Sequence, residues 1–135
     1  MRLHSLILAS EAKESGGLVD LTGAFVSHYT LPIDREPWAV DLSGVFAIEV
    51  DPGEEGQTFD FGLGIEPPDG DYVQLATATV TNEPVDADEW VVGQPRYLLT
   101  PFRVLFRVLD VGPHALVVRY VDVEFARARF GVRAR

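Results

Sequence analysis

The stretch Thr58-Phe59-Asp60-Phe61-Gly62-Leu63-Gly64-Ile65 decides how this chain is read. Its odd positions are bulky and apolar, and its even positions are polar or glycine. A period of two sends successive side chains to opposite faces, so the stretch is a strand with one face on a core. The same alternation runs upstream through Trp38, Val40, Leu42, Gly44, Phe46, Ile48 and Val50, with Asp41, Ser43 and Glu49 on the other side. It returns near the C-terminus, where Ala126, Ala128, Phe130 and Val132 alternate with Arg127, Arg129, Gly131 and Arg133. There the outward face carries arginine.

Working outward, Leu3–Ala9 is a short apolar run, and Leu18–Leu21 and Ala24–Leu31 are two segments separated by Gly23, where a bulge or bend is expected. Tyr72–Thr81 is rich in valine and threonine, and Phe102–Leu109 and Ala115–Val121 are dense in β-branched and aromatic residues. Turn chemistry separates them at Ser15-Gly16-Gly17, Asp51-Pro52-Gly53, Pro67-Pro68-Asp69-Gly70, Gly93-Gln94-Pro95 and Gly112-Pro113. No segment has a helical period with caps; Glu11–Ser15 and Asp86–Val91 are the two places where a single helical turn is expected. The irregular segment Thr81–Arg96 reads as a crossover between sheets. The spacing predicts one all-β domain over residues 1–135, an antiparallel β-sandwich of seven to nine strands, immunoglobulin-like or jelly-roll-like.

Charge is divided unevenly along the chain. Residues 1–95 hold 18 acidic and 3 basic side chains, whereas residues 96–135 hold 8 arginines and 3 acids. The overall charge of −10 repels phosphate, which argues against nucleic acid as a partner. There is no cysteine, so disulfides, thiolate catalysis and cysteine metal sites are excluded, and a reducing cytoplasmic setting is the expectation. The run from Leu3 to Ala9 is followed at once by Glu11, Lys13 and Glu14, too short and too soon charged for a signal peptide or a membrane span.

The segments Leu6-Ile7-Leu8-Ala9-Ser10-Glu11-Ala12 and Gly17-Leu18-Val19-Asp20-Leu21-Thr22-Gly23-Ala24-Phe25, with Gly112-Pro113-His114-Ala115-Leu116-Val117-Val118-Arg119-Tyr120-Val121-Asp122, carry a resemblance. The pattern resembles a family of small all-β bacterial proteins, common in actinobacteria, whose function is unassigned. The resemblance covers the two ends of the chain and implies a β-sandwich; it supplies no catalytic residue. This chain departs from the pattern at Val123, where glycine is usual after the aspartate.

Two sets of residues are candidates for a working surface. Arg127, Arg129 and Arg133 share one side of the last strand, and Arg103 and Arg107, four apart, share one side of another. If those strands pair, the five guanidinium groups form one interaction face for a carboxylate-rich or phosphate-bearing partner. The competing expectation is that they pair at home with outward carboxylates such as Asp41, Glu49 and Asp60. The second set is acidic: Asp69 and Asp71 in one loop, Asp86 and Asp88 beside Trp90 in another, as possible ligands of Ca²⁺ or of a small molecule or carbohydrate. The ordinary role of such residues is to cap turns and keep a surface soluble.

Classical catalytic patterns are missing. There is no Gly-x-Ser-x-Gly elbow, Gly62-x-Gly64 lies within a strand, and nothing singles out a catalytic pair among the 21 acids. His4, His28 and His114 are scattered, although the first two fall on early strands. The expectation is therefore a non-enzymatic cytoplasmic interaction or accessory module without a cofactor. Its partner is another protein or a second copy of itself, with no nucleic acid or membrane involved. The alternative is a module whose acidic loops bind a small ligand, carbohydrate or Ca²⁺.

Overall fold

The computed structural model describes residues 1–31, 38–86 and 91–134. Nine strands form: β1 (Arg2–Ser15), β2 (Leu18–Ala24), β3 (His28–Leu31), β4 (Ala39–Val50), β5 (Thr58–Glu66), β6 (Val73–Thr81), β7 (Arg96–Arg107), β8 (Gly112–Tyr120) and β9 (Val123–Ala134). A 3-10 turn at Pro52–Glu54 stands between β4 and β5. The strands lie in a four-stranded sheet of order β2-β1-β4-β7 and a five-stranded sheet of order β3-β9-β8-β5-β6. No described helix is long and apolar enough to cross a membrane.

The all-β sandwich read from the alternation is the observed architecture. Phe59, Phe61, Leu63 and Ile65 are all buried, as are Leu42, Phe46, Ile48 and Val50 from the facing sheet. The core has two lobes. One gathers Leu8, Val40, Leu42, Val104, Phe106, Leu116 and Phe130; the other gathers Phe46, Ile48, Phe59, Phe61, Leu63 and Val118. Leu6 and Phe102 pack against both lobes and join them.

The structure departs from the sequence reading in several places. Glu11–Ser15 is strand, because Glu11↔Thr22 through Ser15↔Leu18 pair across a hairpin. Its two-residue turn uses Gly16 and Gly17 at φ 58° and 79°, the left-handed pair that matches strand twist. The ladder outweighs the weak local preference for a helical turn. The second such segment, Asp86–Val91, falls largely outside the described residues. The bend expected at Gly23 is present as a left-handed φ of 59°, where the pairing passes from Glu11↔Thr22 to Ala9↔Ala24, but β2 runs on through Ala24 and the chain changes sheets only at Phe25–Ser27. Val26 N–H still donates to Leu8 O (3.2 Å), and Ser27 O already accepts from Gly131 N–H (2.9 Å). Because it arrives by this corner and not by a hairpin, β3 pairs parallel with β9, whereas the other strand pairs among the described residues are antiparallel. The turn between β8 and β9 is a two-residue loop even without glycine. Tyr120 pairs with Val123, and Val121 and Asp122 take φ 51° and 60°. A β-branched residue at positive φ is strained, and Val121 meets that condition.

The Thr81–Arg96 segment does cross between the sheets. It is anchored at its start by Asn82, fully buried and polar. The Asn82 amide donates to Glu54 O (2.9 Å) and its Oδ1 accepts from Arg96 (2.9 Å), while its backbone exchanges bonds with Gln57 (2.8 Å) and Gly56 (2.7 Å). Truncating Asn82 to alanine would leave Glu54 O without its amide donor. We expect a loss of about 1–3 kcal/mol, measured by urea unfolding.

Candidate functional site

The register of the four-stranded sheet fixes what its solvent face presents. Inward residues alternate with a second set, so the rows of the outer face read Arg2–Glu49–Tyr97, Ser5–Ala47–Leu99, Ile7–Val45–Pro101 and Ala9–Ser43–Arg103, with Asp41 opposite Leu105. The two middle rows carry no charge and, apart from Ser5, are apolar. Val45 and Ala47 are nearly covered by their neighbours, whereas Leu99 is 38% exposed, Tyr97 48% and Leu105 69%.

Charged pairs close this strip at both ends. At one, Arg2 donates to Glu49 (3.2 Å) and through both terminal nitrogens to Asp51 (3.1 and 3.2 Å). At the other, Arg103 grips Asp41 with contacts of 2.6 to 3.1 Å. These arginines hold the Asp51 and Asp41 carboxyls below the usual carboxylate range, mainly through the hydrogen bonds themselves. His4 adds an edge-on ring contact to Tyr97, with centroids 4.6 Å apart.

The outer face of the five-stranded sheet is different in kind. Arg127 and Arg129 come from β9, Arg119 from β8 and Glu66 from the end of β5. Arg127 is bidentate to Glu66 (2.9 and 2.8 Å) and also donates to Glu124 (2.7 Å). The Glu66 carboxyl is held below its ordinary range by that hydrogen bond first, and by the fields of Arg127, Arg119 and Arg129 next. Beside this cluster Gly62 and Gly64 leave a bare floor. A Cβ on Gly64 would collide with the Tyr72 ring and Val73 O, and one on Gly62 with Gln74. Tyr72 lies across that floor, and the Arg119 guanidinium sits 3.7 Å above the Tyr72 ring centre. Burial pushes the Tyr72 hydroxyl up, against the opposing field of Arg119.

The five arginines expected to share one face do not. β7 belongs to the four-stranded sheet and β9 to the five-stranded one, so Arg103 and Arg107 point away from Arg127, Arg129 and Arg133 across the core. Several are paired at home: Arg103 with Asp41, Arg127 with Glu66, and Arg133 with Thr30 (3.0 Å) and His28 (3.1 Å). Glu49 instead takes Arg2, and Asp60 accepts from the Thr79 hydroxyl (2.8 Å). Asp69, Asp71 and Asp86 are exposed; Asp88 and Trp90 lie outside the described residues. Among the described residues no three histidine or acidic side chains converge on a metal position. His4 and His28 are on different sheets.

The apolar strip was missed in the sequence because Leu99 and Leu105 sit in the dense run Leu98-Leu99-Thr100-Pro101-Phe102-Arg103-Val104-Leu105-Phe106. Apolar residues fall on both faces there, so alternation alone assigns neither to solvent. The fold and its surfaces define a two-sheet β-sandwich with one apolar-centred and one arginine-bearing outer face. Comparison with protein-family models, with curated proteins and with solved structures returns no match.

Proposed function

We propose that this protein is a non-enzymatic interaction module that self-associates through the outer face of its four-stranded sheet. The carrying observation is the row of exposed apolar side chains Tyr97, Leu99 and Leu105 on β7 with the half-buried Ile7 and Pro101 beside them, framed by the Arg2–Glu49–Asp51 and Asp41–Arg103 groups. An outward sheet face in a sandwich is ordinarily polar. An apolar centre with a charged rim is the anatomy of a protein interface.

Size and charge support the reading. Only β1, β4 and β7 run side by side through these rows, and twelve residues at ~3.3 Å each across three strands at ~4.8 Å present a face of about 40 by 14 Å. That is roughly two thirds of the ~800 Å² each partner contributes to a standard interface. The charges that border the apolar rows, Arg2, Glu49, Asp51, Asp41 and Arg103, are already paired within the protomer, so burying them brings no lone charge into a dry place. A second copy offers the same strip, and a twofold contact sets it against itself.

The test is the mass in solution by light scattering, across protein concentration and at low and high salt. We expect a mass above the 14.9 kDa of one protomer that survives high salt, because the driving force is apolar burial. A monomer under every condition would overturn the reading. Dissociation by salt alone would move the contact to the charged surfaces.

A further inference from the structure

We infer that the opposite face of the sandwich holds a binding site for a carboxylate monoanion, built around Arg129. A hollow of about 260 Å³ lies there, walled by Pro67, Pro68 and Pro113, floored by Ala115 and edged by Arg127 and Arg129. It uses the five-stranded sheet and is independent of the self-association surface.

Arg127 and Arg129 play different parts. The fork of Arg127 is spent on Glu66 and Glu124. Arg129 lies two residues along the same strand, on the same face, across Ala115 from Glu66. It is exposed, and among the described residues no acceptor lies within hydrogen-bond or ion-pair distance of its guanidinium. A free guanidinium presents parallel N–H donors that match the two oxygens of a carboxylate. The proline walls have no N–H to offer, so a polar ligand group is drawn to the arginine and its apolar body to the prolines.

Local charge selects the class of anion. Arg119, Arg127 and Arg129 all act on Glu66, and the acids of the cluster are Glu66 and Glu124. Three positive charges face two negative ones, an excess of one. A monoanion neutralises that excess. A phosphate dianion adds a second negative charge beside Glu66 and Glu124, where like charges repel. The hollow is smaller than a typical ligand pocket of ~300–1,000 Å³, which fits a small acid left partly open to water.

The test is an amide NMR titration of the full chain with butyrate and benzoate, and separately with inorganic phosphate. We expect saturable millimolar shifts centred on Ala115, Arg129 and Gly131 for the carboxylates, and weaker ones for phosphate. Arg129→Gln should weaken binding at least about tenfold, as loss of a charge-assisted pair does. Arg107→Gln on the other sheet should leave it unchanged, and the spectra themselves report that both variants are folded. No saturable shift, equal binding by Arg129→Gln, or tighter binding of phosphate would each overturn the assignment.

Discussion

Phe46→Ala lowers the stability of this protein by about 3–5 kcal/mol, the ordinary cost of removing a buried phenyl ring from a core. Phe46 is completely buried on the central strand β4. Its ring stands edge-on to Phe61 of the facing sheet (5.1 Å between centroids) and tilted against Phe102 (6.4 Å), which with Leu6 packs against both lobes. The truncation therefore opens a void at the seam of the sandwich, between sheets that long strands hold apart and that collapse poorly. Domains of this size have only ~5–15 kcal/mol in total, so the loss is a large share. Urea unfolding should show a lower midpoint with the slope unchanged. Leu105→Ala, on the outer face, should change stability of the protomer by less than about 0.5 kcal/mol.

Gly44→Ala has the next largest effect, from the opposite cause. Gly44 pairs with Leu8 on one side and Phe102 on the other. A Cβ there would overlap the Ile7 carbonyl oxygen and stand 2.7 Å from the Phe102 ring. The ring could turn aside, but the carbonyl belongs to the β1 backbone and cannot move without opening the β1–β4 ladder. We expect a cost of about 3 kcal/mol, the upper end for added volume in a packed region. Hydrogen exchange should show the β1 amides near Ile7 losing protection before the rest of the sheet. Ser43→Ala, one residue away, adds no atom and should be nearly silent by comparison.

These two residues mark how far the sequence can be read. Phe46 was placed in the core by the alternation from Trp38 to Val50, and Phe61 by the alternation around it. Period two is a strong signal where one face is dry and the other wet, as in β5 and β9. Gly44 fell on the inward face with the same confidence of pattern, but a pattern cannot show that the space above it is taken by the β1 backbone. Long-range placement was the general gap. Arg103 and Arg107 of β7, and Arg127, Arg129 and Arg133 of β9, sat on the outward side of their strands, as read. Whether those sides belong to one sheet depends on strand order, and strand order is set by crossovers such as the one at Phe25–Ser27. Asn82 was likewise illegible: a lone asparagine before Glu83-Pro84 looks like any turn residue, and only the tertiary fold brings Glu54 and Arg96 to it. The hairpin at Val121-Asp122 shows the reverse case. Its residues disfavour positive φ, yet the pairing of β8 with β9 on either side imposes the tight turn.

The charge division along the chain resolves into local accounts. Arg103 and Arg127 neutralise acids from the first two thirds of the sequence, Asp41 and Glu66. The exposed aspartates Asp69, Asp71 and Asp86 remain a solvated fringe. Such exposed pairs contribute little each, about 0–1 kcal/mol, so they define the edges of the apolar strip more than they hold the fold.

The central claim is that the uncharged middle of the four-stranded sheet is where copies of this protein meet. Sedimentation of Leu99→Arg beside the natural sequence and beside Val123→Arg tests it most directly, since Leu99 is an exposed residue of a middle row of the strip and Val123 is an exposed residue of the other sheet. The account predicts that Leu99→Arg sediments as a folded 14.9 kDa protomer while the other two remain associated. An unchanged assembly in Leu99→Arg, or a natural sequence that is itself a protomer at every concentration, would contradict it.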